Sequence, residues 1–163
     1  MATIHLPDAA ATERAGAALA STLQGGMIVT LKGDLAAGKT TLARGALRAL
    51  GWTGPVKSPT YTLVEHYLVS RLYLYHFDFY RFENPEEWET AGLAEYFRSD
   101  AVGLVEWPER VAGLLPAADV ELVLKHLDLG ASGRTLTLRP ATPAGERCQS
   151  AITSVIGALP SKS

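Results

Sequence analysis

The sequence has few of the features that are typical of secreted, membrane-embedded or RNA-binding proteins, namely paired cysteines, long apolar runs and clusters of basic residues. Its 163 residues include one cysteine, Cys148, so no disulfide can form within the chain and we expect a cytoplasmic protein. The apolar runs are too short to span a bilayer, and the first residues lack the pattern of a signal peptide. The net charge is −2 and the 15 lysines and arginines are scattered, so we expect any work on nucleic acid to be done through a partner.

Other scarcities argue against particular classes of enzyme. The single asparagine, Asn84, precedes a proline, so the guanine-recognition motif N-K-x-D of Ras-like GTPases is absent. The two glutamines, Gln24 and Gln149, lie far along the chain from Asp78 and Glu106, the acidic residues at predicted strand ends. This argues against a glutamine that positions water, as in Ras-like GTPases. Residues 107–118 contain one arginine, so the arginine-bearing lid of a small-molecule kinase has poor support.

Length and composition predict one α/β domain over residues 1–140, followed by a tail at 141–163 that forms a short helix or stays mobile. The apolar pattern alternates strands with helices and ends in a hairpin, which indicates a mixed sheet. The predicted elements are a helix over 7–23 capped by Asp8, a strand over 26–33, a helix over 39–50 ended by Gly51, two antiparallel strands within 62–80, a helix over 84–97 capped by Asn84, a strand over 101–106, and a hairpin formed by 120–129 and 134–140.

The stretch GDLAAGKT matches the phosphate-binding pattern G-x-x-x-x-G-K-[ST], between a predicted strand and a predicted helix. Backbone N–H groups of such a loop surround phosphates at the positive end of the helix. Lys39 would reach the β- and γ-phosphates of a nucleotide, and the Thr40 hydroxyl would ligate Mg²⁺. The alternative is a Gly/Ala-rich turn with an exposed lysine. The predicted nucleotide contacts are Gly33, Asp34, Leu35, Ala36, Ala37, Gly38, Lys39, Thr40 and Thr41, of which Thr41 has ordinary helix sequence as its alternative.

Two acidic residues at predicted strand ends, Asp78 and Glu106, are candidates for the metal and for catalysis. Mg²⁺ prefers carboxylate oxygens, and a strand end beside the phosphate loop is a suitable place for them. The alternatives are a turn carboxylate paired with Arg81 for Asp78 and a strand-end cap for Glu106. Thr60 is a candidate sensor of the γ-phosphate, with a polar turn residue as its alternative.

Two aromatic side chains near the acidic candidates have two interpretations each. His76 is either a functional base or a strand histidine held by a hydrogen bond. Trp107 either packs in the core or lines a surface for a partner.

Four segments, GDLAAGKTTLARG, SPTYTLVEHY, HFDFYR and VEWPER, occur in this order and together resemble the TsaE (YjeE) family. This family comprises bacterial ATPases of tRNA threonylcarbamoyladenosine (t6A) biosynthesis. The resemblance covers residues 8–140. It departs from the family at Ala36, where glycine is common, and alanine there costs little unless the position needs a positive φ.

The resemblance implies a P-loop NTPase-like, three-layer α/β domain whose mixed sheet has a parallel core and antiparallel flanking strands. It implies Mg²⁺-dependent ATP hydrolysis that supports the turnover of a TsaD–TsaB pair, in which TsaD transfers a threonylcarbamoyl group to adenosine 37 of tRNAs. It places Lys39 and Thr40 at the phosphates and Mg²⁺, and Asp78 and Glu106 near the metal and the attacking water. The resemblance also places Thr60 in a switch-like loop, Trp107 beside the site and Thr12 near the adenine.

Weak activity of the isolated chain is expected, because no arginine is obviously placed to complete the site. A partner would supply that group or order the loop at Thr60. A small-molecule P-loop kinase and a nucleotide-gated binding module remain as alternative functions.

Overall fold

The computed structural model of the chain describes residues 1–34, 36–70, 72–127 and 133–157. Within these ranges the first two strands alternate with helices, and the other strands lie in the later part of the chain with short helical segments between them. The elements are β1 (Ala2–Leu6), α1 (Ala9–Ala20), β2 (Ile28–Lys32), α2 (Lys39–Ala49), β3 (Val64–Val69), β4 (Leu72–Asp78), α3 (Glu86–Thr90), β5 (Ala101–Glu106), β6 (Val120–His126), β7 (Arg134–Pro140) and α4 (Pro143–Ile156), with 3₁₀ turns at Leu93–Tyr96 and Pro108–Val111.

The strands form one mixed sheet in the order β1-β7-β6-β2-β5-β4-β3. The four central strands, β6, β2, β5 and β4, pair in parallel, whereas β3 and the β7–β1 side pair antiparallel. The predicted α/β fold with a parallel core and antiparallel flanks is therefore confirmed. Because parallel strands end at the same edge of a sheet, the carboxyl ends of β2, β4 and β5 meet beside the start of α2.

Helices cover both faces of the sheet, and each face has its own apolar core. On one face α1, α2 and α4 pack on aliphatic strand residues such as Leu31 and Leu104. On the other face, under α3 and the 3₁₀ turns, the core is aromatic, and Phe77 stacks on Phe97 with ring centroids 5.0 Å apart. Burying each of these large side chains contributes roughly 1.5–3 kcal/mol, so both cores hold the strand ends in place.

Local signals located most of the element ends. Asp8 caps α1 as predicted, since its Oδ1 accepts a hydrogen bond from the Ala11 N–H at 2.8 Å. Gly51 follows α2 with a φ of 98°, a conformation that ends a helix and favours glycine. The two predicted hairpins are also present, as β3–β4 and β6–β7.

One predicted helix needs correction, one strand was not predicted, and the tail had two predicted alternatives. The helix predicted over 84–97 is two short pieces, because Gly92 adopts a φ of 62° between α3 and the following 3₁₀ turn. Strand β1 was not predicted, and it forms because it pairs with the distant β7 from Ala2 to Leu6. In the tail, residues 143–156 form α4, which buries Cys148 and Ile152 in the core it shares with α1.

Candidate functional site

The phosphate-loop sequence joins the end of β2 to the start of α2. Gly38 is the N-cap of α2 with a φ of 105°, and no side chain caps the first turn of the helix. The N–H groups of that turn therefore have no side-chain acceptor, and such a helix end attracts anions. The Arg134 guanidinium lies directly against Gly38, on the side where a larger residue would place its Cβ.

Ala36 adopts a left-handed conformation with a φ of 63°. The condition under which alanine is costly at this position is thus met. A left-handed alanine costs about 1–2 kcal/mol relative to its preferred conformation. The loop keeps its shape at this point at the expense of stability.

Lys39 is enclosed although it carries an ammonium group, and only 5% of its surface is exposed. Its Nζ donates a hydrogen bond to the Gly33 carbonyl at 2.5 Å and lies 3.9 Å from the centroid of the Trp107 ring. Burial lowers the pKa of Lys39 below its ordinary value, although the negative charges of Glu106 and Asp78 oppose that shift. The lysine of the predicted phosphate loop is therefore not the exposed lysine of the alternative interpretation.

The two predicted acidic residues lie side by side. Asp78 ends β4 and Glu106 ends β5, and the two are register partners on these parallel strands. Both side chains are buried, with 5% and 3% exposed. Their position at the carboxyl edge of the sheet places two carboxylates within reach of one bound ligand.

Each carboxylate is held by different neighbours. Asp78 accepts hydrogen bonds from the Thr60 hydroxyl at 3.2 Å and from the Tyr80 N–H at 2.9 Å, through its two separate oxygens. Glu106 Oε2 lies 2.6 Å from His76 Nε2. The predicted alternative for Asp78, an ion pair with Arg81, is not observed, since the Arg81 guanidinium lies over the Tyr61 ring at 4.5 Å.

The loop before β3 reaches the site through Thr60. Besides donating to Asp78, the Thr60 hydroxyl shares a hydrogen bond of 2.7 Å with the Ser58 hydroxyl. The next residue, Tyr61, has 82% of its surface exposed. The position of Thr60 is therefore tied to the carboxylate of β4, while its neighbour faces solvent.

One cavity of about 350 Å³ collects most of the predicted site residues. A volume of this size suits a small ligand, and the lining combines cationic, hydroxyl and carboxylate groups. Its walls are formed by Ala36, Gly38, Lys39, Thr40, Thr41, Ser58, Thr60, Asp78, Glu106, Trp107 and Arg134.

Other predicted contacts lie elsewhere. Thr12 is fully buried in α1, and its hydroxyl donates to the Asp8 carbonyl at 3.3 Å, so it does not line this cavity. Gly33 and Asp34 line a second hollow of about 290 Å³ beside the end of β6. Ala37 is buried inside the loop. Leu35 lies outside the described residues.

Two residues of the cavity were missed by sequence reasoning, and the more consequential is Arg134. The sequence shows no arginine that is obviously placed to complete the site, whereas in the structure Arg134 at the start of β7 lines the cavity beside Gly38. Nothing in its local sequence marks it. Ser58, the second, precedes Thr60 in a segment already singled out, so its hydroxyl could have been included.

The residues present fit Mg²⁺. The cavity offers the Thr40 hydroxyl and the carboxylates of Asp78 and Glu106, all of them hard oxygen donors. Across the described ranges no three His, Cys, Asp or Glu side chains form a metal-binding group by themselves. Mg²⁺ is normally held by only one or two carboxylates together with phosphate oxygens and water, so two carboxylates beside a phosphate loop meet its needs.

Comparisons with known proteins show which proteins the chain is similar to. A model of the family described as "Threonylcarbamoyl adenosine biosynthesis protein TsaE" matches residues 6–135. The chain is 41% identical over 157 residues to a tRNA threonylcarbamoyladenosine biosynthesis protein TsaE from Haemophilus influenzae, covering 93% of this chain and 98% of that protein. It is 36% identical to the protein of the same name from a Nostoc species, over 84% and 86% of the two chains.

A solved structure has the same fold. The crystal structure of YdiB from Bacillus subtilis superposes with a TM-score of 0.78 at 30% identity, covering 93% of each chain. In the described part of the present chain, no helix is both long and apolar enough to cross a membrane.

Proposed function

The chain belongs to the TsaE family of tRNA threonylcarbamoyladenosine biosynthesis proteins, and on that basis we propose that it is a cytoplasmic Mg²⁺-dependent ATPase that supports the turnover of a TsaD–TsaB pair. One observation carries the ATPase proposal. A buried lysine at an uncapped helix N-terminus shares a cavity with two buried carboxylates, Asp78 and Glu106. Such a cavity attracts phosphates on one side and a divalent cation on the other.

The binding roles follow from the position of each group. Lys39, the N–H groups of the first turn of α2 and the Arg134 guanidinium would hold the phosphates. Thr40, Asp78 and Glu106 would hold Mg²⁺. When bound, Mg²⁺ would neutralise the negative charge that develops on the phosphate oxygens during transfer. Phosphoryl transfer needs mainly this neutralisation and an aligned water, so the protein contributes positioning rather than covalent chemistry.

The two carboxylates have different tasks in this proposal. Both oxygens of Asp78 accept hydrogen bonds within the protein, from Thr60 and from the Tyr80 N–H. Asp78 therefore links the Thr60 loop to the metal. Glu106 is held through Oε2, which leaves Oε1 for the cavity that Glu106 lines. Glu106 is the residue that orients the attacking water.

The presence of Arg134 changes what a partner has to supply. Because this arginine already lines the cavity, the site contains a cationic group for the developing charge besides Lys39. The remaining task for a partner is to fix the loop of Ser58 and Thr60, next to the exposed Tyr61. We propose that the TsaD–TsaB pair stimulates hydrolysis by ordering this loop, and that tRNA is reached through the complex.

The test is ATP hydrolysis by the purified chain, alone and with a TsaD–TsaB pair. We expect slow turnover alone, at least tenfold stimulation by the pair, and loss of both ATP binding and turnover in Lys39→Ala. Lys57→Ala is the matched control, since Lys57 is exposed and lies outside the cavity. ATP binding and turnover at the wild-type level in Lys39→Ala would refute the proposal. Normal ATP binding without stimulation would direct attention to a kinase, tested by metabolite-stimulated ATP consumption.

One contact favours a nucleotide-gated binding module as a second candidate. The Thr60–Asp78 hydrogen bond connects the cavity to the loop that carries Tyr61, so ligand binding alone could set the loop. Glu106→Gln separates the two functions, because it keeps the size of the side chain and removes its charge. If that variant binds ATP, does not hydrolyse it and still supports t6A formation over many turnovers, gating is the function and hydrolysis is incidental.

A further inference from the structure

His76 lies immediately behind the catalytic carboxylate and outside the cavity. It is on β4, two residues before Asp78, and therefore on the same face of the sheet. Its ring is fully buried, and its Nε2 lies 2.6 Å from Glu106 Oε2. Its register partner on β5 is Leu104, a member of the aliphatic core. Hence His76 stands between that core and the cavity, with Glu106 as its only polar neighbour at hydrogen-bond distance among the described residues.

We propose that His76 is a positioning residue that holds Glu106 in the orientation needed for hydrolysis. The inference rests on the proposed function, in which Glu106 orients the attacking water. Glu106 has three rotatable side-chain bonds, and fixing such a side chain in one conformation costs rotamer entropy. Aspartate has fewer, and Asp78 is in addition held at both oxygens. The longer carboxylate is the one that needs a fixed donor.

The geometry also assigns the hydrogen of the imidazole. Nδ1 of His76 is buried and has no hydrogen-bond partner among the described residues. A hydrogen on Nδ1 would thus be buried without an acceptor, which is costly, whereas a hydrogen on Nε2 is accepted by Glu106. His76 therefore donates from Nε2, and the bond fixes both the ring and the carboxylate.

The hydrogen bond between His76 and Glu106 is buried, so its loss should affect Glu106 directly. Both partners are almost free of solvent, with 0% of His76 and 3% of Glu106 exposed. In His76→Leu an apolar side chain takes the place of the donor, and the carboxylate of Glu106 would turn toward the cavity or toward Lys39. A preorganised group loses its catalytic effect when displaced by about 1 Å, while ligand binding through the phosphate loop persists. Loss of the donor should therefore lower kcat and leave KM for ATP nearly unchanged.

The variants are His76→Leu, which has no donor, and His76→Gln, whose amide N–H₂ can reach Glu106. His66→Gln is the matched control, because His66 lies exposed on the neighbouring strand β3. With the TsaD–TsaB pair present, we expect His76→Leu to lower kcat by about 10- to 100-fold with KM for ATP changed less than threefold. His76→Gln should restore most of that loss, and His66→Gln should match the wild type.

A double-mutant cycle distinguishes positioning from a structural role. If His76 acts through Glu106, adding His76→Leu to Glu106→Gln should lower kcat no further. A second cycle uses binding without turnover: the factor by which Mg²⁺ tightens ATP binding, measured by calorimetry. His76→Leu should reduce this factor by less than about threefold, in keeping with the small change in KM, and should reduce it no further in the Glu106→Gln background.

The melting curve of His76→Leu shows whether this variant folds. If it does not, the wild type and His76→Gln still test whether His76 positions Glu106. In ¹⁵N-histidine NMR spectra of the wild-type protein we expect a hydrogen on Nε2, and a shift of that signal in Glu106→Gln. A hydrogen on Nδ1, wild-type kcat in His76→Leu, or an undiminished effect of that change in the Glu106→Gln background would overturn the inference. A wild-type protein that binds no ATP would instead refute the proposed function.

Discussion

The Lys39 ammonium lies 3.9 Å from the centroid of the Trp107 indole ring. A cation at this distance over an aromatic face is attracted by the ring, by about 0.5–2 kcal/mol depending on solvent access. Trp107 itself has a φ of 56°, an uncommon conformation for a large residue. The indole is thus placed beside the atom that is expected to meet the phosphates.

Trp107 should therefore report ligand binding. We expect ATP to change the intrinsic tryptophan emission of the protein, because phosphate oxygens near Lys39 alter the charge next to the ring. The change should vanish in Trp107→Phe and persist in Trp52→Phe, whose indole bonds to the Pro55 carbonyl away from the cavity. A change that survives in Trp107→Phe would show that the cavity is not where ATP binds.

Arg134→Ala should weaken ATP binding by about tenfold or more. A charge-assisted hydrogen bond contributes about 1.5–3 kcal/mol, and each 1.4 kcal/mol is a factor of ten. Arg139→Ala is the control, since it removes the same charge from the same strand but Arg139 pairs with Glu121 outside the cavity. Calorimetric titration with ATP measures both. Equal loss in the two variants would mean that Arg134 acts only through net charge.

Ala36→Gly should stabilise the protein by about 0.5 kcal/mol. Glycine removes the cost of about 1–2 kcal/mol of a left-handed alanine, and it gives back about 0.4–1 kcal/mol through the greater freedom of the unfolded chain. Urea unfolding measures the difference. The control is Ala17→Gly, in the interior of helix α1, which should destabilise by about 1 kcal/mol. Destabilisation by Ala36→Gly would show that this residue is not left-handed in solution.

Glu121 should make stability depend on pH. Burial alone would raise its pKa, but hydrogen bonds and ion pairs with Lys32 at 2.7 Å and Arg139 at 3.1 Å outweigh burial and lower it. A carboxyl group with a lowered pKa stabilises the fold above its unfolded-state pKa of about 4.3, and this contribution disappears as the pH falls through the lower folded-state value.

Comparison of the wild type with Glu121→Gln isolates that contribution. Because the partners are partly exposed, we expect a difference in unfolding free energy of about 0.5–1 kcal/mol at neutral pH. The difference should shrink below about pH 4 and under high salt. Urea titrations at several pH values measure it. A difference that stays constant down to acid pH would mean that packing, and not charge, makes Glu121 stabilising.

Much of the fold could be predicted from local signals. The strand before the phosphate loop, the helix after it and the cap at Asp8 each depend on a few neighbouring residues. Strand β1 was missed because its partner, β7, lies at the other end of the chain. The helix predicted over 84–97 failed at Gly92, where a left-handed turn overrides the apolar spacing.

The candidate site was predicted in part for the same reason. Lys39, Thr40, Asp78 and Glu106 follow strands whose ends can be read from the sequence, and parallel pairing brings those ends together. Thr12 was carried over from the family resemblance alone, and its side chain lies inside α1 away from the main cavity.

The sequence by itself determined the predicted phosphate loop, its lysine and the two carboxylates, because each depends on residue type and on short spacing along the chain. The tertiary structure decided which groups surround them. Arg134 meets Gly38, and His76 meets Glu106 across 30 residues of sequence, only because the sheet sets the register of strands that are far apart in the chain. Contacts of that kind are fixed by packing and strand pairing, which no local pattern contains.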